Sequence, residues 1–66
     1  MKVEILRENG VRAFNYRDPN RSKHLKKGLL VQIKNLSYDL VSNNITHFYD
    51  YHGFVFELTQ SEYKLL

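Results

Sequence analysis

The chemistry of this sequence is concentrated in its cations, and most of them lie in the first half. Residues 1–34 hold nine of the ten Lys and Arg together with three acids, whereas residues 35–66 hold one Lys and four acids. The densest basic run extends from Arg17 to Lys27. A guanidinium group binds phosphate or carboxylate oxygens through two parallel hydrogen bonds, and an ammonium group acts as a point charge. This asymmetry predicts a basic surface that binds an anionic partner.

The predicted anion-binding surface consists of cations from the first 27 residues. They are Arg7, Arg12, Arg17, Arg21, Lys23, Lys26 and Lys27. We predict that these side chains contact the phosphates of nucleic acid. The alternative partner is an acidic patch on another protein. In that case the chain would be a small protein–protein interaction module or inhibitor, of the kind that phages and mobile elements encode.

Two further interpretations of the charge pattern stay open. The basic run can be a solvated loop whose only role is to keep the protein soluble. The oppositely charged halves can also pair between copies, which would make the chain a homo-oligomer. No motif in the sequence identifies a family that would decide among these partners.

The residue types that carry catalysis or bind metals lack the patterns that such sites need. There is no Cys, which excludes thiolate nucleophiles, cysteine zinc sites and disulfides. His24, His47 and His52 do not have metal-ligand spacing, and no Ser lies in a nucleophile motif. We therefore predict a non-enzymatic protein with no catalytic residue, cofactor or metal site.

Exposed aromatic rings would strengthen the nucleic-acid hypothesis, because bases stack on them. Seven of the nine aromatic residues lie in the acidic half, and the predicted core needs most of them. Phe48 and Tyr38 are left over as the candidates for an exposed aromatic contact.

The Asn9-Gly10 pair predicts a type I′ hairpin between the first two strands. A turn centred there places Ile5 opposite Phe14, and it makes one face apolar on both strands. The same register places Arg7 opposite Arg12, where a bound anion or a nearby acid would relieve the repulsion.

A second hairpin is predicted around His52-Gly53, as a two-residue loop. Pairing Tyr51 with Phe54 then places Tyr49 opposite Phe56 on the core face. Phe48 falls on the other face of the same strand. Aromatic pairs across strands stabilise such a hairpin.

Residues 18–27 connect the first hairpin to the middle strand. Asp18-Pro19 is typical of a helix N-cap and first helical residue, and Gly28 suits the left-handed residue that follows a last turn. Because Leu25 is the single apolar anchor between them, we expect either a basic helical turn or a mobile loop.

The middle strand is predicted from Leu29 to about Val41. Its inward-facing side chains change from odd to even numbers along the strand, which predicts a β-bulge near Lys34-Asn35. A helix over residues 35–42 is the competing interpretation. Residues 42–44 are typical of a turn.

The end of the chain has the Thr59-to-Glu62 spacing of a capping box, which predicts a short helix over residues 60–66. The predicted fold is a single mainly β domain over residues 1–66, with an α+β fold as the alternative. Its five strands would form a small sheet or an SH3-like or OB-like barrel. No apolar run is long enough to cross a membrane, and the first residues do not resemble a signal peptide. We therefore expect a cytoplasmic protein without membrane partners.

Overall fold

The computed structural model describes residues 1–39, 41 and 44–66, and these residues are mainly in β-strands. The strands are β1 (Lys2–Ile5), β2 (Val11–Asn15), β3 (Ser22–Leu25), β4 (Leu30–Asp39), β5 (Ile45–Asp50), β6 (Phe54–Thr59) and β7 (Tyr63–Leu65). They form one antiparallel sheet in the order β3-β2-β6-β5-β4-β1-β7, which curls into a half-barrel. The mainly β prediction is confirmed, whereas the predicted five strands and C-terminal helix are wrong. Over the described residues, no helix has the length and apolarity needed to cross a membrane.

The core lies on the inner face of the curled sheet. Successive side chains of a strand point to opposite faces. In β2, for example, Val11 and Ala13 are buried while Arg12 and Phe14 are exposed. The buried apolar side chains are Val3, Ile5, Val11, Ala13, Leu25, Val31, Ile33, Phe48, Phe54, Phe56 and Leu58.

Strand β4 is long because it pairs with two neighbouring strands. Its first residues pair with β1, and its later residues pair with β5. The register shifts between Ile33 and Asn35, which leaves Lys34 as the extra residue and confirms the predicted bulge. Ile33 before the bulge is buried and Leu36 after it is partly buried, so the inward phase changes there as expected.

The far end of β4 distinguishes the two sequence-based interpretations. The strand continues to Asp39, so the competing helix is wrong for residues 35–39. Tyr38, a candidate for an exposed ring, is 52% exposed. Within the turn that was predicted over residues 42–44, Asn44 has a left-handed φ of +67°. Leu40, Ser42 and Asn43 lie outside the described residues.

The β5–β6 hairpin forms, but its register is one residue away from the prediction. Phe48 pairs with Phe56, and Tyr49 pairs with Val55. The loop therefore has three residues, Tyr51–Gly53, instead of two. The face of β6 was predicted correctly, whereas the two faces of β5 were exchanged.

The exchange makes Phe48 the centre of the inner aromatic cluster, which consists of Phe48, Phe56 and Tyr63. Phe48 is 0% exposed, so its prediction as an exposed contact is wrong. Its ring stacks on Phe56 with centroids 4.9 Å apart, and it meets the Tyr63 ring edge-on, also at 4.9 Å. The Tyr63 hydroxyl lies 2.8 Å from Oγ1 of the buried Thr46.

The predicted hairpin between β1 and β2 is wrong. β1 pairs with β4 and β7, and β2 pairs with β3 and β6. The chain still turns at this point, since the Gly10 amide donates to the Arg7 carbonyl at 3.0 Å. Gly10 has a φ of +71°, and a Cβ there would lie 2.5 Å from the Leu25 carbonyl oxygen. The absence of a side chain at Gly10 therefore lets the chain pass close to the end of β3. Because β1 and β2 are not paired, Arg7 and Arg12 do not lie opposite each other on neighbouring strands.

Residues 18–27 form neither a helix nor a loop throughout, because residues 22–25 are strand β3. The Arg21 amide donates to the Asp18 carbonyl at 2.9 Å, which closes a β-turn. Pro19 occupies the second position of that turn, where its fixed φ is favourable. Gly28 is left-handed, as predicted, but in a turn rather than after a helix.

The capping box is present, but the helix that it predicted stops after one turn. The Thr59 amide donates to Oε1 of Glu62 at 2.8 Å, and residues Gln60–Glu62 form a single 3-10 turn. Tyr63 then extends into β7, which pairs with β1. Strand pairing and burial of the Tyr63 ring therefore replace the predicted helix.

Candidate functional site

The side of the sheet opposite the core carries a row of apolar side chains across three strands. Phe14 of β2 pairs with Val55 of β6, and Val55 pairs with Tyr49 of β5. Tyr16 follows the end of β2, and it lines the same depression as Phe14, Tyr49 and Val55. We call the surface formed by Phe14, Tyr16, Tyr49 and Val55 the outer face. Its rings are 47%, 59% and 39% exposed for Phe14, Tyr16 and Tyr49.

Cations surround the outer face. Two adjoining depressions share Tyr16, Tyr49 and Val55 as common walls. One is also lined by Arg7 and Arg12, and the other is lined by Arg17 and Lys34. The rings and the cations therefore form one continuous surface.

Local hydrogen bonds hold the arginines of this surface in place. The Arg17 guanidinium carbon lies 5.4 Å from the centre of the Tyr16 ring, and its Nε donates to the Tyr16 hydroxyl at 3.0 Å. The backbone at Arg17 is fixed by the buried Asn15, whose Oδ1 accepts from the Arg17 amide at 3.0 Å. On the other side, Nη1 of Arg12 donates to Oγ of Ser22 at 3.0 Å. Two arginines thus border the rings with much of their orientation already set.

Three of the four cations beside the rings have no carboxylate partner. Within the described part of the chain, no carboxylate forms an ion pair with Arg12, Arg17 or Lys34. The acids that line the depressions are Glu57 and Asp50. The two depressions are thus lined by four cations, Arg7, Arg12, Arg17 and Lys34, against these two acids, so the outer face has an excess of positive charge.

Glu57 and Asp50 are each held by other side chains, and the partner of Glu57, His47, lines the same depression. Oε2 of Glu57 lies 3.3 Å from Nδ1 of His47. Oδ2 of Asp50 accepts from Nζ of Lys23 at 3.1 Å, and the Asp50 side chain is only 3% exposed. Its other oxygen accepts from the amides of His52 at 2.7 Å and Phe54 at 2.9 Å. Asp50 therefore fixes the loop of the β5–β6 hairpin.

The pKa of Asp50 reports this environment. Burial raises the pKa of its carboxyl, but the amides of Phe54 and His52 and the ammonium group of Lys23 together outweigh that effect. The net result is a pKa below the usual range, so the carboxylate is ionised near neutral pH. The charge of Lys23 is accordingly balanced inside the fold.

The remaining predicted cations are mostly engaged away from the rings of the outer face. Arg21 and Lys23 lie over the core-facing Phe54 ring, at 5.7 and 4.3 Å from its centre. Lys27 pairs with Glu8 at 2.7 Å, and it lowers the pKa of that carboxyl. None of these three cations lines either depression, and neither does Lys26.

Arg7 is the exception, since it lines a depression and is also paired. Its Nε lies 3.5 Å from Oε2 of Glu62. The structure therefore brings Arg7, Arg12 and Arg17 to the outer face out of the seven predicted cations.

Sequence reasoning missed the rings of the outer face and Lys34. Tyr49 was assigned to the core because a two-residue loop was assumed. The missed signal is Asp50, whose side chain can close a three-residue loop that ends in Gly53 with a φ of +85°. Phe14 was assigned to the core through the incorrect first hairpin. Tyr38 is exposed, but it shares the side of Leu36 rather than the outer face.

No group of His, Cys, Asp and Glu that could hold a metal occurs among the described residues. No protein-family model matches the chain, and no curated protein or solved structure is significantly similar to it.

Proposed function

We propose that this protein is a non-enzymatic binding module that holds the phosphate backbone of a nucleic acid beside its outer face. The observation that carries the proposal is the group of three cations without carboxylate partners, Arg12, Arg17 and Lys34, beside exposed rings. Such cations release counterions when they contact phosphates, which is the main source of affinity for nucleic acids.

The arrangement of the arginines supports the same partner. Arg17 is held against Tyr16, and Arg12 is held by Ser22, so each guanidinium loses little side-chain entropy on binding. A planar guanidinium also matches the oxygens of a phosphate better than an ammonium group does. The net charge of the whole chain is only +3, so the affinity has to come from this local surface.

The proposal is tested by measuring affinity against salt for a fluorescent DNA or RNA oligonucleotide. We expect the logarithm of affinity to fall linearly with the logarithm of salt, with a slope of about −0.7 for each single-strand phosphate contact and about −0.9 for each duplex contact. The double variant Arg12→Ala, Arg17→Ala should bind more weakly and with a shallower slope.

The matched control is the double variant Lys2→Ala, Lys64→Ala. It removes the same charge from exposed side chains on β1 and β7, at the other end of the sheet. We expect its affinity to stay close to that of the parent. Equal losses in the two double variants would show that net charge acts without a site. No binding at the lowest salt would reject the proposal and favour an acidic protein as the partner.

A further inference from the structure

The geometry points to a single-stranded nucleic acid as the ligand, seated across β2, β6 and β5 with its bases stacked on Phe14 and Tyr49. This inference rests on the proposed function, and it adds the strandedness of the ligand and the role of the rings.

The first argument is the position of the rings. Phe14 and Tyr49 each pair directly with Val55, so both rings lie in one row on the same side of the sheet. Neighbouring strands are about 4.8 Å apart, which separates β2 and β5 by roughly 10 Å. The bases of a single strand can be splayed apart and can stack on aromatic side chains. The two rings are therefore close enough for bases of one strand to reach both.

The second argument is how the rings are packed in the protein without a ligand. Phe48, next to Tyr49 in the chain, is fully buried and packs on two other rings. Phe14, in contrast, is 47% exposed, and neither it nor Tyr49 stacks on another ring in the described structure. Part of each ring is thus accessible to a planar ligand, and every base has a π face that can stack on an aromatic ring.

The third argument is that the rings cannot stack on bases inside a duplex. In double-stranded DNA the faces of the bases are stacked on each other, and only their edges are accessible from the grooves. Rings on the surface of a sheet cannot reach those faces without opening the duplex. A single strand has both groups that this surface can bind. Its bases have accessible faces that can stack on the rings, and its phosphates can contact Arg12, Arg17 and Lys34.

The inference is tested by comparing probes and ring variants. The probes are oligo(dT), oligo(rU) and a mixed-sequence duplex, each of about 12 nucleotides or base pairs, within the usual site sizes of about 4–16 nucleotides. We expect either single strand to bind more tightly than the duplex. Phe14→Ser and Tyr49→Ser should each weaken single-strand binding by about 5- to 100-fold. Duplex binding, which uses only the cations, should hardly change.

Two controls separate ring loss from other effects. Tyr49→Phe keeps the ring, and we expect it to keep parental single-strand affinity. Tyr38→Ser removes a ring that is 52% exposed but lies off the outer face, and we expect no loss of binding. An unfolding curve for each variant shows whether the fold is retained.

The outcomes distinguish the two proposals. Equal affinity for duplex and single strand, with no effect of Phe14→Ser or Tyr49→Ser, would overturn the inference and leave the proposed function intact. A loss in Tyr38→Ser as large as in Tyr49→Ser would also overturn it. Failure of all probes to bind would overturn the proposed function itself, and the rings would then be contacts for a protein.

Discussion

The two faces of β5 and β6 use aromatic residues in opposite ways. On the inner face, Phe48 is fully buried between Phe56 and Tyr63. On the outer face, Tyr49 is 39% exposed and is paired with the smaller Val55. The inner rings fill space that water would otherwise occupy, and such close packing stabilises the fold. The outer rings leave part of their surface in water, where a ligand can cover it.

The comparison shows that aromatic content alone does not indicate a core. A chain of 66 residues buries only about 60% of the surface that its unfolded form exposes, so every inward ring matters for stability. The rings that this small protein leaves outside are therefore the ones to examine for function. The cations beside these rings support this view, since Arg17 contacts Tyr16 and Arg12 lies two residues from Phe14.

The largest effect that separates the two faces is expected from Phe48→Ala. This substitution removes the ring at the centre of the inner aromatic cluster, and we expect it to lower the free energy of unfolding by about 3–5 kcal/mol. A loss of that size is a large fraction of the stability of a domain of this length. Urea unfolding followed by circular dichroism measures it. A variant as stable as the parent would mean that the register of the β5–β6 hairpin is wrong.

A smaller loss is expected from Asp50→Ala, which tests the residue that fixes the hairpin loop. The substitution leaves the buried amide of Phe54 without its acceptor and the ammonium group of Lys23 without its partner. We expect the free energy of unfolding to fall by about 1–3 kcal/mol. The same urea titration detects the change. Parental stability in this variant would mean that the loop is held without the carboxylate.

The charge of Asp50 also predicts how stability depends on pH. Its pKa in the folded protein is lowered, so its contribution is present above the unfolded pKa of about 3.9 and is lost as pH falls through the folded value. Asp50→Asn cannot titrate. We expect the stability difference between parent and Asp50→Asn to shrink as the pH is lowered below about 4. A difference that is constant down to the acid limit would contradict the lowered pKa.

The smallest effect on stability is expected from Tyr49→Ala. This ring is partly exposed, and its cross-strand neighbours are Asn35 and Val55, so the loss should be about 1 kcal/mol or less. Measured beside Phe48→Ala, it compares adjacent residues of the same strand. A loss of several kcal/mol would show that Tyr49 is a core residue after all, and the outer face would then have no role beyond packing.

The element types were largely predictable, because they depend on local signals. Alternation of apolar residues predicted β1, β2, β5 and β6, and the change of phase in β4 predicted the bulge near Lys34-Asn35. Thr59 and Glu62 predicted a local cap, which is present. Gly10 was correctly assigned to a turn. Each of these features depends on residues that are close together in the sequence.

The pairing of the strands was not predictable in the same way. The Asn9-Gly10 signal assumed that the strands beside a turn pair with each other, but β1 and β2 separate and each finds other partners. Which strands meet depends on burying the inner face of the whole curled sheet. That requirement is a property of all seven strands together.

The sequence by itself determined the basic first half, the absence of cysteine and the mainly β character of this protein. Only the tertiary structure decided which cations are neutralised and which rings face outward. The reason is that a shift of one residue in a strand exchanges its two faces. In the observed register Phe48 lies in the core and Tyr49 faces solvent. The carboxylate of Asp50 accepts hydrogen bonds from the amides of His52 and Phe54 in the three-residue loop of that register.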